Sequence, residues 1–324
     1  MRLCSITISP LCFRMSDLCK NVRKTEELVV DEMIEYEGTL YRPPSEANSL
    51  IIQVTIGCAH NTCIFCNMYK QKTFRIRKEE EILAELLEVA NSPYRDYIDR
   101  VFFADGDALC IPTEMMLRLL NTVNDWFPHV QRVTAYAAAM DVIRKSDQEL
   151  LALRNAGLLM VYMGVESGDA EILKYIHKDC TPEDYILAAK KLHDAGIKNS
   201  VTLISGLGGR ERVEQHAVAC ADIVSAMKPE YCSFLTLGLF AGTPMYEDAA
   251  AGRFERITDR EILEEMILFL EHVDSEGTVF RSNHASNYLP LAGTLNADIP
   301  NMKRAIQRVM ETGYHRPFRE YGDL

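Results

Sequence analysis

From residue 50 onward the chain alternates short runs rich in β-branched and aromatic residues with longer segments whose apolar positions recur every three or four residues. Strands are expected at 50–56, 101–104, 132–136, 159–163, 200–204 and 231–237. Helices are expected at 78–90, 113–124, 147–155, 182–195 and 212–227. The first helical segment, "KEEEILAELLEVA", has three acids in its first turn, where the helix dipole favours them. Pro112 precedes the second. Asp147 and Thr181 suit N-caps, and Gly157 and Gly196 suit helix stops. Six β/α units in series imply parallel strands joined by right-handed crossovers, in either an open doubly wound sheet or a barrel. In both architectures chemistry sits in the loops after the carboxyl ends of the strands. The loops at 57–70, 105–111, 137–141, 164–168, 205–211 and 238–245 should therefore share one mouth. Residues 1–49 read as a loosely ordered leader, and 255–324 as a mainly helical C-terminal extension around the polar loop "FRSNHASNY".

Composition narrows the function classes. The 324 residues are 48% hydrophobic and 25% charged, as expected of a globular protein with a large core. No run approaches the roughly 20 apolar residues of a membrane helix, and the N-terminus lacks a signal-peptide pattern, so a cytoplasmic protein is expected. A formal charge of -12 argues against binding a nucleic-acid backbone over a broad surface. Ten cysteines in a chain this long read as reduced thiols, some of them ligands. Cys4, Cys12 and Cys19 are too widely spaced for a compact site.

Three other cysteines fall within nine residues, in "CAHNTCIFC" directly after the first strand. Cys58, Cys63 and Cys66 can reach one metal centre. His60 would complete a four-ligand zinc site; without it, three thiolates would hold a [4Fe-4S] cluster with one iron open to a substrate or cofactor.

This loop, with Phe65 before its last cysteine, resembles that of the radical S-adenosylmethionine (radical SAM) superfamily, with C-x4-C-x2-C in place of the usual C-x3-C-x2-C. The resemblance runs through about residues 50 to 250 and points to the subgroup of oxygen-independent coproporphyrinogen dehydrogenases and Elp3-like proteins. Four other strand ends are similar in the same order. "FFADGDAL" stands where the family has Gly-Gly-Glu, so that Asp107 takes the acid's place against the SAM ammonium. In "VYMGVESGDAEILKYIHKD", Glu166 matches the residue that binds the ribose hydroxyls, and Lys178 stands where an Arg binds the SAM carboxylate. "LISGLGG", with Gly206 and Gly208, resembles the family's "LIYGLPG", whose backbone approaches the cofactor. "LFAGTPMY" resembles "PGTPLY".

The resemblance implies a partial (β/α)6 TIM-like barrel over 50–254. It also implies a [4Fe-4S] cluster on Cys58, Cys63 and Cys66, with Phe65 packing on the adenine of SAM. The activity it implies is reductive cleavage of SAM to a 5'-deoxyadenosyl radical that takes hydrogen from a small polar substrate. Arg281, Asn283, His284, Ser286, Asn287 and Tyr288 are expected to offer substrate contacts from the extension. The run "MYKQKTFRIRK", with Lys70, Lys72, Arg75, Arg77 and Lys78, is expected to dock an acidic flavodoxin or ferredoxin as electron donor. Two rival readings are a zinc- or cluster-stabilised binding module without turnover and a tRNA-modifying radical enzyme.

Overall fold

The computed structural model describes residues 33–313; Cys4, Cys12 and Cys19 lie outside them. Five expected strands form as β1 (Leu50–Gln53), β4 (Arg100–Ala104), β5 (Arg132–Tyr136), β6 (Leu158–Glu166) and β7 (Lys198–Ser205), followed by β8 (Tyr231–Thr236) as the sixth. The first expected strand breaks at Val54. Its second part, β2 (Thr55–Ile56), leaves the sheet to pair with β3 (Arg75–Ile76) in an antiparallel ribbon.

The main sheet runs β1-β4-β5-β6-β7-β8-β9-β10, with β9 at Val279–Arg281 and β10 at Ala292–Thr294. It is parallel through β9 and antiparallel at the last pair. Strand order follows chain order without reversal, so right-handed crossovers carry the helices to one face. A doubly wound sheet needs a reversal to cover both faces. The sheet is therefore a partial, TIM-like barrel with β1 and β10 at its open ends.

The period-2 alternation of the strands separates two cores. Outward residues such as Ile52, Val101, Phe103, Val133, Ala135, Val161 and Leu203 join the main core with Ile82 and Leu86 of α1 (Glu79–Ala90) and Met116 and Leu120 of α2 (Thr113–Trp126). Inward residues Ile51, Phe102, Ala104, Met160 and Tyr162 form a smaller cluster on the concave face. Two of the next helices, in chain order α3 (Ala139–Arg144), α4 (Asp147–Asn155), α5 (Ala170–Tyr175) and α6 (Pro182–Ala195), carry full capping boxes. Thr181 caps α6 with Asp184, and Gly196 ends it at φ 75°. The cap of α4 is Ser146 rather than Asp147, because Glu149 bonds back to the Ser146 backbone N–H.

Two expectations are corrected. The leader is not loose where it is described. Tyr36 and Leu40 pack on the concave cluster, Tyr36 Oη donates to Ile51 O at 3.1 Å, and Gln53 Oε1 accepts from Glu37 N at 2.9 Å. Glu46, fully buried, accepts from Tyr162 Oη, Ser49 Oγ and Arg132 Nη2. Glu46→Ala should leave these donors without their acceptor and cost about 3 kcal/mol in urea unfolding. Nor does the sheet stop at residue 254, since β9 and β10 arise within the extension. Its expected helices do form, as α9 (Asp259–His272) and α10 (Ile299–Thr312), after α7 (Val213–Met227) and α8 (Pro244–Ala250).

Candidate functional site

The cysteine loop lies at the carboxyl end of the sheet and is stitched to two neighbours. Ile64 N donates to Ile176 O at 3.1 Å, and Met245 N, in α8, donates to Ile64 O at 3.2 Å. His60 is turned to the 177–179 segment. Its Nε2 lies 2.6 Å from His177 O and 2.9 Å from Thr62 Oγ1, and its Nδ1 lies 3.5 Å from Asp179. Both ring nitrogens are thus engaged, and the zinc site with His60 as fourth ligand does not form. Between Cys58 and Cys63, Asn61 takes φ 31°. Its Nδ2 donates to Tyr69 O, and its carbonyl accepts from Lys70 Nζ.

Cys58, Cys63 and Cys66 are free thiols, with Cys63 buried and the other two half-buried. Burial pushes the Cys63 thiol up to about 11, Lys178 pulls it down, and Glu166, Cys66 and Cys58 add to the rise. Burial also raises Cys66, against a hydrogen bond from the Met68 backbone. The three sulfurs therefore share one electrostatic neighbourhood with Glu166 and Lys178. Among the described residues, no three His, Cys, Asp or Glu side chains converge on one metal ion. Three thiolates on a single zinc would bring their sulfurs to about 3.8 Å, from Zn–S bonds of about 2.3 Å in tetrahedral geometry. Thiolates that each bind a different iron stand farther apart. An all-thiolate donor set fits an iron-sulfur cluster.

The turn after β4 packs on the first cysteine. Gly106 N donates to Gly57 O at 3.1 Å, and a Cβ on Gly106 would lie 2.7 Å from Cys58 Cβ and 2.9 Å from the Tyr69 ring. Gly106→Ala must therefore displace Cys58, and reconstituted protein should retain less than half the iron per chain of the parent. Asp107 is buried and turned to the loop after β5. Its Oδ1 accepts from Ala138 N at 3.2 Å, and burial with the neighbouring Asp141 carboxyl raises its proton affinity well above the usual range. The carboxyl expected to face an ammonium thus ties two mouth loops together.

Glu166 ends β6 at φ 69°, where the register with β7 shifts. Lys178 Nζ donates to Glu166 Oε1 at 3.0 Å. Burial alone would push Lys178 down, but the Glu166 carboxylate overrides it and holds the ammonium well above its usual range. A Cβ on Gly164 would lie 2.2 Å from Glu166 Oε1, so a side chain there would push this carboxylate out of its place against Lys178. Phe65 is half-buried at the edge of the main core. Gly206 and Gly208 do not open onto free space. A Cβ would meet Ile262 at the first and the Arg212 backbone and His216 at the second, and Gly206 N donates to Glu265.

A family model described as the radical SAM superfamily matches residues 52–219, just over half the chain. The chain belongs to the radical SAM superfamily. Among curated proteins it is 23% identical to an uncharacterized protein of Methanocaldococcus jannaschii over 235 residues, 68% of this chain and 70% of that one. It is 24% identical over 207 residues to an uncharacterized methyltransferase of Pyrococcus horikoshii, covering 62% of this chain and 42% of that one. Coproporphyrinogen III oxidase from Escherichia coli, a radical SAM enzyme, shares the fold with a TM-score of 0.52 at 17% identity, over 75% of this chain and 55% of that one. The radical SAM methyltransferase TsrM from Kitasatospora setae, solved with cobalamin and a [4Fe-4S] cluster bound, gives 0.51 at 18% identity, over 68% and 43%. The chain thus spans less than half the length of either methyltransferase.

In this radical SAM chain the polar loop of the extension divides into ties and open positions. Asn287 Nδ2 donates to Phe234 O at 2.7 Å, and its Oδ1 accepts from Thr236 Oγ1 at 2.9 Å. Ser286 Oγ accepts from Thr236 N. Both residues, expected to contact substrate, fasten the loop to β8. His284 Nδ1 accepts from Ser286 N, and burial lowers its pKa. Tyr288 packs with Ile257 and Ile262. Asn283 is exposed, and so is Arg281, whose Nη1 donates to Phe280 O at 2.7 Å.

The expected basic docking patch is corrected too. Lys72 is buried against Asp105, Arg77 is bidentate to Glu85, and Arg75 pairs with Glu37 at 2.6 Å. Lys70 donates to Asn61 O, and Lys78 starts α1. The carboxylates of Asp105, Glu37 and the adjoining helix's Glu85 pair with three of the five cations, so the run is not a free basic face. No described helix is long and apolar enough to cross a membrane.

Proposed function

We propose that Cys58, Cys63 and Cys66 hold a [4Fe-4S] cluster with one iron open to SAM, and that the enzyme abstracts hydrogen from a small polar molecule bound in the concave face. The observation that carries this reading is the meeting of the three thiols with the Glu166–Lys178 pair at one strand-end mouth. When bound, the cluster supplies the low-potential electron for reductive cleavage of SAM.

The chain's own residues bind and orient. The Glu166 carboxylate suits ribose hydroxyls, the Lys178 ammonium suits the SAM carboxylate as a point charge, and Phe65 offers an apolar face to the adenine. On the concave face, sheet register aligns Thr202, Ser233 and Arg281 across β7, β8 and β9. This polar row favours a substrate with hydroxyl or anionic groups. Residues 255–313 act as its cap, held down by Asn287. A cytoplasmic setting suits the reduced thiols. Nucleic acid has little to bind, given the charge of -12 and the paired cations.

The test is anaerobic reconstitution followed by dithionite and SAM. Iron and sulfide in near-equal amounts, with 5'-deoxyadenosine released, support the reading. A colourless, zinc-loaded protein overturns it. S-adenosylhomocysteine as the sole nucleoside product would move the reaction to methyl transfer, the activity in the names of two relatives.

A further inference from the structure

We propose that Lys72 and Asp105 form a positioning pair for the first cysteine and that their opposite charges set the reduction potential of the cluster. The proposal rests on the cluster reading above. The resemblance puts glycine where this chain has Asp105, so the carboxylate is a feature of this chain that the family pattern does not call for.

The geometry is that of a keystone. Asp105 is wholly buried, and one of its oxygens, Oδ2, accepts three hydrogen bonds: from Lys72 Nζ at 2.7 Å, Gly57 N at 3.0 Å and Gln53 Nε2 at 3.3 Å. Its other oxygen, Oδ1, is buried with no hydrogen-bond partner. A buried carboxylate with one bare oxygen is costly unless a cation neutralises it, and Lys72, itself 8% exposed, is that cation.

Two of the three donors lie at the entry to the cysteine loop. Gly57 immediately precedes Cys58 and takes φ 76°, with the Lys72 Cβ 3.3 Å from where its own Cβ would be. Gly106, next to Asp105, clamps Gly57 O and abuts Cys58. Lys72 also sits over the Tyr69 ring at 5.5 Å, and Tyr69 is the residue whose carbonyl holds Asn61 within the Cys58–Cys63 stretch. One ion pair thereby fixes the backbone on both sides of the lengthened stretch between Cys58 and Cys63.

A charge this close to the cluster, in a buried setting, acts on its potential as well as on its position. Lys72→Met leaves a bare carboxylate, which opposes an added electron and should lower the potential. Asp105→Asn keeps an oxygen for Gly57 N but leaves the ammonium unbalanced, and should raise it. The double variant should return toward the parent. A purely structural role has no reason to give shifts of opposite sign that cancel.

The test is a redox titration followed by EPR on reconstituted parent, Lys72→Met, Asp105→Asn and the double variant, with iron counts and circular dichroism on each. Opposite shifts that cancel in the double variant support the proposal, as does loss of iron from a single variant that remains folded. If Asp105→Asn does not fold, the downward shift in Lys72→Met carries the test alone. Full loading with unchanged potentials in the variants overturns the pair's role while leaving the cluster reading intact. A parent chain that takes up no iron overturns both.

Discussion

Alanine at Cys58, Cys63 or Cys66, one at a time, should take the iron content of reconstituted protein to background and abolish 5'-deoxyadenosine formation. Alanine at Cys110 should do neither. The contrast is between thiols in different places, Cys110 being half-buried like Cys58 and Cys66. Cys110 lies in the turn after β4 beside Asp107, where burial and the Asp107 and Asp141 carboxyls push its thiol up to about 12. A proton held that firmly opposes metal binding, and Lys145 offsets it only in part. Cys63 and Cys66 are also raised by burial, but a cluster that binds the loop thiols displaces their protons, and iron uptake should release acid. Three ligands leave no redundancy, so each alanine is expected to remove the whole cluster rather than a share of it. Measuring iron, sulfide and nucleoside product on the four variants in parallel decides the point. Iron retained at the parent level in any one loop variant would remove that cysteine from the ligand set.

What could be read from the chain follows the length over which a signal is written. The helix at 182–195 was legible end to end because both of its boundaries are chemical, the Thr181–Asp184 box and Gly196. Ala139–Arg144, Ala170–Tyr175 and Pro244–Ala250 are six or seven residues long, fewer than two turns, so periodicity has nothing to work on and packing at the mouth fixes them. The three-residue strands β9 and β10 escape for the same reason.

The candidate site divides in the same way. The thiols are neighbours in sequence and could be found there. Asp105 and Lys72 are 33 residues apart and share no pattern, so their pairing is a product of the fold. Charge runs and polar loops mislead because sequence shows side chains and not partners. Arg75 looks free until Glu37 arrives from 38 residues upstream, and Arg77 until the next helix turns Glu85 back onto it. Asn287 stands in a polar loop in the sequence, and only the fold shows that β8 meets both ends of its amide, with the Phe234 carbonyl and the Thr236 hydroxyl.

The second large effect is expected at a site away from the thiols. His216 of α7 is fully buried, with Nδ1 2.7 Å from Glu265 Oε1 and Nε2 3.3 Å from Cys220 Sγ. Glu265, on α9, also accepts from Gly206 N with both oxygens, at 2.9 and 3.2 Å. One carboxylate thus joins two helices to the turn after β7. Glu265→Ala strips the buried histidine of its acceptor and the Gly206 N–H of its own, and should cost about 3–5 kcal/mol in urea unfolding. Burial alone would depress His216; the neighbouring Cys220 and Glu265 reverse this and hold it well above its usual value. A group whose folded pKa is raised stabilises fully below its unfolded value, near pH 6.5, and loses that contribution as pH climbs through the folded value. The parent should therefore become less stable as pH rises from 6.5 into the alkaline range. Glu265→Gln, which keeps an oxygen for Gly206 but loses the charge, should flatten that slope. An equal slope in parent and Glu265→Gln would show that the histidine is buried without its proton.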